Sequence, residues 1–259
     1  VHECARGRPA ISKKPGKEKK TKQNAFLTTI RTDNYLILLR ELHCSLLKHN
    51  PGAHLIVASV PGDLSNTTLD ILHGLEHVEY IALEEYAFEN EHSARFSKNW
   101  VKLRAWGLDQ YSAIIMLDVD GIVRGDLTHL FDLPTNFSWT YEQGPGGLQW
   151  NAGAFVFLRP CRAVLDHMMQ LLETEKSLRF EESDAEQDFL RWYFAHNALK
   201  LSSRYNAMYH LYEVGGHKTV GGEASLFIHF GDEDKPFTLE DDSPEWRYMC
   251  CRKKGVSSS

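Results

Sequence analysis

The chain has 259 residues, 42% of them hydrophobic, and a net charge of −6, enough to bury a full core as one α/β domain with a small subdomain. Residues 1–24 carry eight basic side chains against Glu3 and Glu18, a net +6, which leaves −12 on the rest. An acidic body argues against a general nucleic-acid surface, and no apolar run is long enough to cross a membrane.

Residues 1–24 are poor in apolar side chains and contain Pro9, Pro15 and Gly16. They read as a disordered basic segment, and residues 249–259 as a flexible tail. The body between them, 25–248, reads as one domain. Ala25 to Thr29 is the first strand. Asp33 is placed to cap a helix beginning near Tyr35, with Leu36, Leu39, Leu42, Leu46 and Leu47 as its apolar stripe and Pro51-Gly52 as its stop. Leu55 to Ala58 is a second strand, Leu64 to Leu72 a second helix and Val78 to Ala82 a third strand. Trp100 to Leu108 reads as a helix feeding a strand that ends at Leu117. This alternation predicts a βαβ series and a Rossmann-like, mostly parallel sheet. The second half is less regular. Ala154 to Leu158 is a strand, Arg162 to Glu173 and Ala185 to Phe194 are helices, and Leu226 to Phe230 is a late strand. Glycine-rich stretches at 144–147 and 215–222 are flexible connections that could border an acceptor cleft.

The chemistry concentrates at Ile114-Ile115-Met116-Leu117-Asp118-Val119-Asp120, an apolar strand ending in two carboxylates. In open α/β sheets ligands lie beyond the carboxyl ends of the strands. Two hard oxygen ligands there suit Mg²⁺ or Mn²⁺, ions that commonly also hold substrate phosphates. The first strand lacks a Gly-x-Gly-x-x-Gly turn, which argues against a dinucleotide cofactor. Asn151-Ala152-Gly153 would let a sugar lie close to the backbone. Glu186 and Gln187 open a helix, where the dipole favours an acid. His229 ends a strand and becomes a third metal ligand if that strand meets Asp118 and Asp120. Lys235 could neutralise a diphosphate as a point charge. One of Lys102 and Arg104 could reach a phosphate or sugar, and the other would face solvent. Tyr35 either stacks on a nucleobase or staples its helix to the sheet.

The five cysteines, Cys4, Cys44, Cys161, Cys250 and Cys251, form no zinc or redox spacing. Cys44 and Cys161 lie among apolar residues and read as buried thiols, which favours a reducing, cytoplasmic compartment. The chain does not begin with Met and shows no signal peptide. A Golgi lumen would fit if an N-terminal anchor precedes it.

Taken in order, these pieces resemble the family 8 glycosyltransferases, of the glycogenin and galactinol synthase kind. The matching residues are Phe26-Leu27-Thr28 with Thr32-Asp33-x-Tyr35; Lys102-Leu103-x-x-Trp106; Leu117-Asp118-Val119-Asp120; Leu127-x-x-Leu130-Phe131-Asp132; Asn151-Ala152-Gly153-x-Phe155-Val156-Phe157; Ala185-Glu186-Gln187-Asp188-Phe189-Leu190; Tyr205-Asn206; and His229-Phe230 with Lys235-Pro236. The resemblance implies a GT-A fold, in which a Rossmann-like nucleotide half merges with a smaller acceptor-side mixed α/β region. It implies a retaining hexosyltransferase using a UDP-hexose donor and Mn²⁺, with Mg²⁺ as the other candidate. The acceptor would be a carbohydrate, a polyol or a glycoprotein. By motif, Asp118, Asp120 and His229 would hold the metal. Thr28 and Tyr35 would meet the uridine, and Val119 lies between the metal ligands. Lys102, Asn151, Ala152, Gly153, Glu186 and Gln187 would surround the sugar, with Glu186 or Gln187 stabilising a cation-like carbon. Gly231 and Lys235 would meet the diphosphate.

Three departures stand out. Arg191 occupies a place where the family often has Asn. Asp232-Glu233-Asp234 is acidic where relatives tend to be neutral or basic, which weakens Gly231 as a phosphate contact. Arg31 stands where relatives have a small or hydroxyl residue near the nucleotide. Tyr209 and Tyr212 lie near the site of glycogenin self-glucosylation without aligning to it. The rival classes are a nucleotidyltransferase, which would carry a Gly-rich basic loop after the first strand, and a non-catalytic binder of the same fold. A homodimer is compatible with the sequence but not specified by it. A chain beginning at Gln23 is expected to stay folded and to keep its turnover. Loss of soluble protein on that truncation, read by circular dichroism, would show that the basic segment packs on the body.

Overall fold

The computed structural model describes residues 22–86, 97–144, 147–174, 186–208 and 224–231. The tail at 249–259, nearly all of the basic segment, the 215–222 glycine stretch, Tyr209, Tyr212, Lys235 and the 232–234 acids lie outside the described residues. The body starts slightly before residue 25. Strand β1 spans Gln23–Thr29, and Ser112 Oγ donates to the Lys22 carbonyl at 2.8 Å.

A 3-10 turn at Asp33–Tyr35 leads into α1, Leu36–His49. Leu38, Leu39, Leu42 and Leu46 recur at helical spacing and are all buried. Asp33 does not cap this helix, which starts with no side-chain cap. Its carboxylate instead accepts the Ser65 N–H at 3.0 Å, tying this turn to the loop before the second helix. Strand β2 is Leu55–Ser59, α2 is Asn66–His73 and β3 is Val78–Ala82. Ser65 caps α2 by accepting the Thr68 N–H at 3.3 Å. The stretch expected as an α-helix before the aspartates is a run of 3-10 turns, Ser97–Gly107. With three residues per turn, Trp100, Leu103 and Trp106 line up on one face, and all three are buried. Next come β4 (Tyr111–Leu117) and the short β5 (Gly121–Val123). A hairpin of β6 (Phe137–Gly144) and β7 (Gly147–Leu158) follows. Helices α3 (Arg162–Thr174) and α4 (Glu186–Tyr193) precede three short strands: β8 (Leu199–Leu201), β9 (Ala207–Met208) and β10 (Phe227–His229).

The main sheet has the order β3-β2-β1-β4-β7-β6-β8. Strands β3, β2, β1 and β4 are parallel; β7 runs antiparallel to both β4 and β6. Alternating side chains divide the core between the two faces. Ala25, Leu27, Ile114 and Met116 pack with the 3-10 helix, α3 and α4. Phe26, Leu55, Ile115 and Leu117 pack with α1 and α2. The connections from β1 to β2 to β3 thus use one face, and the connection from β3 to β4 uses the other. The direction of winding reverses between β1 and β4, and such a switch point opens a crevice at the strand ends.

A second sheet, β5-β10-β9, sits beside that crevice. In the antiparallel β5–β10 pair, His229 lies opposite Gly121, and Phe230 N–H donates to the Asp120 carbonyl at 3.0 Å. The Phe227 ring lies against Gly121, where a Cβ would come within 1.9 Å of it. Only glycine permits that approach.

The cysteine reading needs a correction. Cys44 is half-buried and forms no disulfide, but Cys161 is disulfide-bonded, and its partner lies outside the described residues. Cys161 stands half-exposed just ahead of α3, where a distant segment of chain can reach it. The argument from thiols to a reducing compartment therefore loses its support.

Replacing Gly121 by Ala should cost roughly 1–3 kcal/mol, the usual range for overpacking. The loss should appear in chemical unfolding, with the β5–β10 contact moved off the crevice. A variant as stable as the parent would show that Phe227 can swing away freely.

Candidate functional site

Asp118 leaves the carboxyl end of β4 and Asp120 leads into β5. His229 is delivered by β10 through its pairing with β5. His229 Nε2 lies 3.3 Å from Asp120 Oδ1 and 3.7 Å from Asp118 Oδ2. One ligand atom from each of the three residues falls within 4.8 Å of the others. Asp120 and His229 are buried, and Asp118 is partly open. This is a candidate metal centre with two carboxylates and one imidazole. The donor set fits a divalent ion of the Mn²⁺ kind: the oxygens suit Mg²⁺ and Mn²⁺ alike, and the nitrogen shifts the preference toward the transition metal.

Lys102 approaches from the 3-10 helix. Its Nζ is 2.7 Å from Asp118 Oδ1 and 3.3 Å from Glu186 Oε1. Lys102 and Glu186 are both buried, at 5% and 1% exposure. Burial alone would lower the Lys102 pKa, but Asp118 and Glu186 outweigh it and raise it, so Lys102 stays charged. Burial pushes the Glu186 carboxyl from the ordinary 4.5 up to about 7, Asp118 adds to the rise and Lys102 opposes it. The single cation favours the nearer Asp118, and that leaves Glu186 incompletely compensated. Of Lys102 and Arg104, Lys102 is thus the one that faces the site. Arg104 turns outward and donates through Nε to the Glu84 carbonyl at 3.3 Å.

The other expected residues are distributed around this centre. Strand β7 pairs Phe155 with Leu117 and runs on past the end of β4. Asn151 therefore stands beyond β4 on the side where Asp118 emerges. It is 3% exposed and lies opposite Thr140 of β6. Ala152 and Gly153 follow it in β7, placed by their backbone. Gln187 is half-buried next to Glu186. Val119 is buried in the α1-side core, which leaves its backbone as the part available to a ligand. Gly231 makes a positive-φ turn (64°) just after His229, and a Cβ there would meet Met208 at 2.8 Å. Thr28 is fully buried in β1 and offers no open surface, whereas Tyr35 is half-buried against the α1-side core. Arg191 pairs with Asp188 at 2.9 Å, so Asp188 is engaged within its own helix. The residues ahead of Glu186 that would cap the helix, Ser183 and Asp184, lie outside the described residues.

Sequence reasoning missed how Arg31 is held. Its guanidinium is ion-paired with Asp63 and, at 2.7 Å, with Glu85. A basic residue in the nucleotide-side turn was the visible signal. Nothing in the sequence pointed to its two acidic partners.

The Glycosyl transferase family 8 model matches residues 27–238. Galactinol synthase 1 of Solanum lycopersicum is 29% identical over 174 residues, covering 58% of this chain and 53% of that protein. Glycogenin of Neurospora crassa is 24% identical over 225 residues, covering 83% of this chain and 31% of that protein. The chain thus spans about half the length of the tomato relative. Among solved structures, the galactosyltransferase LgtC in complex with donor and acceptor sugar analogs superposes with a TM-score of 0.61 at 15% identity, covering 87% of this chain and 99% of that one. At that identity the likeness speaks for the fold alone, which is GT-A.

The raised Glu186 pKa predicts a pH-dependent cost. Between pH 4.5 and about 7 the folded state holds a proton that the unfolded state has released, so stability falls as pH rises through that window. Glu186→Gln removes this dependence. In metal-free protein the variant should gain on the parent by up to about 3 kcal/mol between pH 4.5 and 7.5. Parallel stability curves for the two proteins would contradict the burial argument.

Proposed function

We propose, from the premise that this chain belongs to glycosyl transferase family 8, that it moves a hexose from a UDP-sugar to a carbohydrate, polyol or glycoprotein acceptor with retention at the anomeric carbon. The observation that carries the reading is the meeting of Asp118, Asp120 and His229 beside the buried Lys102–Glu186 pair at the sheet's switch point. Asp118, Asp120 and His229 would hold a divalent ion, Mn²⁺ ahead of Mg²⁺. Such an ion, when bound, neutralises the charge that grows on the departing diphosphate.

The chain's own residues do the rest. Tyr35 is placed for the nucleobase on the β1 side. Lys102 stays charged and holds the Asp118 carboxylate in a fixed position. Asn151 and Gln187 border the sugar from β7 and α4. Lys235 meets the diphosphate on the strength of the resemblance alone. Glu186 faces the sugar carbon as it becomes cation-like. Its ion pair with Lys102 weakens it as a nucleophile. That favours a front-face route, in which the leaving phosphate takes the acceptor proton and Glu186 stabilises positive charge without forming a bond.

The nucleotidyltransferase reading loses ground on the β1 side. Residues 26–34 contain no glycine, and their one basic side chain, Arg31, is committed to two acids. The likeness to galactinol synthases makes polyols the first acceptors to try.

The test is a screen of UDP-sugars for UDP release, with Mn²⁺ and with chelator, each with and without candidate acceptors. Turnover is expected only with the metal. Asp120→Ala should reduce it at least about 10²-fold, the size of losing one electrostatic stabiliser of the transition state. Release that survives chelation, or an Asp120→Ala variant with full turnover, would overturn the proposal.

A further inference from the structure

Arg31 follows β1 and spends every arm of its guanidinium on a different segment. Nε pairs with Asp63 in the loop after β2. One terminal nitrogen pairs with Glu85, after β3, at 2.7 Å. The other donates to the Lys98 carbonyl at 2.7 Å, at the start of the 3-10 helix that carries Lys102. A single side chain thus joins the carboxyl ends of three adjacent parallel strands to that helix. The joint is reinforced on both sides. Arg104, further along the same helix, reaches back to Glu84 through Nε at 3.3 Å to the carbonyl and through a terminal nitrogen at 3.8 Å to the carboxylate. Asp33, two residues before Tyr35, accepts the Ser65 N–H two residues past Asp63.

The Arg31 side chain is 11% exposed and faces two carboxylates. A diphosphate would have to displace both to reach it. The planar fork suits fixed multidentate contacts of this kind. We propose that Arg31 is a positioning residue: it latches the 3-10 helix, and with it Lys102, onto the strand ends that frame the donor crevice, and it is not itself a phosphate ligand. The proposal rests on the reading of that crevice as the UDP-sugar site.

Three variants test it: Arg31→Ala, Arg31→Lys, and Asp63→Asn combined with Glu85→Gln. The readouts are hydrogen exchange of the backbone over residues 97–107, melting temperature, and the KM and kcat for the best UDP-sugar. They are joined by the Kd for UDP in Mn²⁺. Arg31→Ala should speed exchange over 97–107 and raise the donor KM by about tenfold, the size of losing one charge-assisted hydrogen bond. Global melting and kcat should change much less. Arg31→Lys should recover part of the loss. The double variant keeps the guanidinium and removes its anchors, and it should reproduce Arg31→Ala. Tighter UDP binding in the double variant would overturn the proposal, since a freed Arg31 would then be a phosphate ligand. Unaltered exchange over 97–107 in Arg31→Ala would also overturn it. If the parent protein turns over no UDP-sugar, the functional reading fails, and exchange still decides the latch.

Discussion

The buried ammonium of Lys102 is the constraint on which the rest of the site depends. An amine at 5% exposure cannot keep its charge without close carboxylates. It finds Asp118 at the end of β4 and Glu186 at the start of α4. One charge therefore fixes three pieces of chain that are far apart in sequence. Removing either acid would leave a buried cation undercompensated; removing the lysine would leave two acids facing each other. In the run of 3-10 turns that carries Lys102, three residues per turn keep Trp100, Leu103 and Trp106 in one buried row, and Lys102 projects from a neighbouring face toward the two acids.

The centre as a whole carries more negative than positive charge. Asp118, Asp120 and Glu186 converge around Lys102 and a histidine. Such an arrangement is costly for folding and well suited to receiving a divalent cation, whose affinity draws on the same excess. The small sheet exists in the right place because Gly121 lets Phe227 lie flat against β5, which brings His229 to the two aspartates. Phe227 and His229 are two residues apart in β10, so the packing against Gly121 and the candidate metal ligand share one face of that strand. Stability and the proposed function pull against each other most clearly at Glu186, whose burial raises its pKa and whose proposed role at the sugar carbon would need that burial.

Much of the nucleotide half was legible from the sequence. Strands β1 to β4 each contain an apolar stretch, and α1 and α2 carry clear helical stripes, so pattern located them within two or three residues. The Asp118–Asp120 pair was legible because strand ends in parallel sheets face ligands. The acceptor half was less so. Strands β5, β8 and β9 have two or three residues each, too short for any period to register, whereas β10 falls inside the apolar run expected as a late strand. The β6–β7 hairpin was only half visible, since β7 begins well before its apolar stretch. The Lys102–Glu186 contact joins the 3-10 helix to α4 across a long stretch of chain and has no local signature; the order of motifs suggested both residues without predicting that they touch. Arg31 looked like an anomaly near a nucleotide. Its acids, Asp63 and Glu85, sit in loops whose convergence only the sheet order creates. The Cys161 reading failed for a related reason: an apolar neighbourhood in sequence says nothing about which distant cysteine arrives beside it.

The central claim is that Asp118, Asp120 and His229 form a metal centre that receives a nucleoside diphosphate. The most direct measurement is anomalous diffraction at the manganese edge from crystals grown with Mn²⁺ and UDP. The account predicts one manganese among these three side chains, about 2.0–2.3 Å from their ligand atoms, with diphosphate oxygens completing its coordination. UDP bound with no manganese between it and these residues, or manganese held elsewhere on the protein, would contradict it.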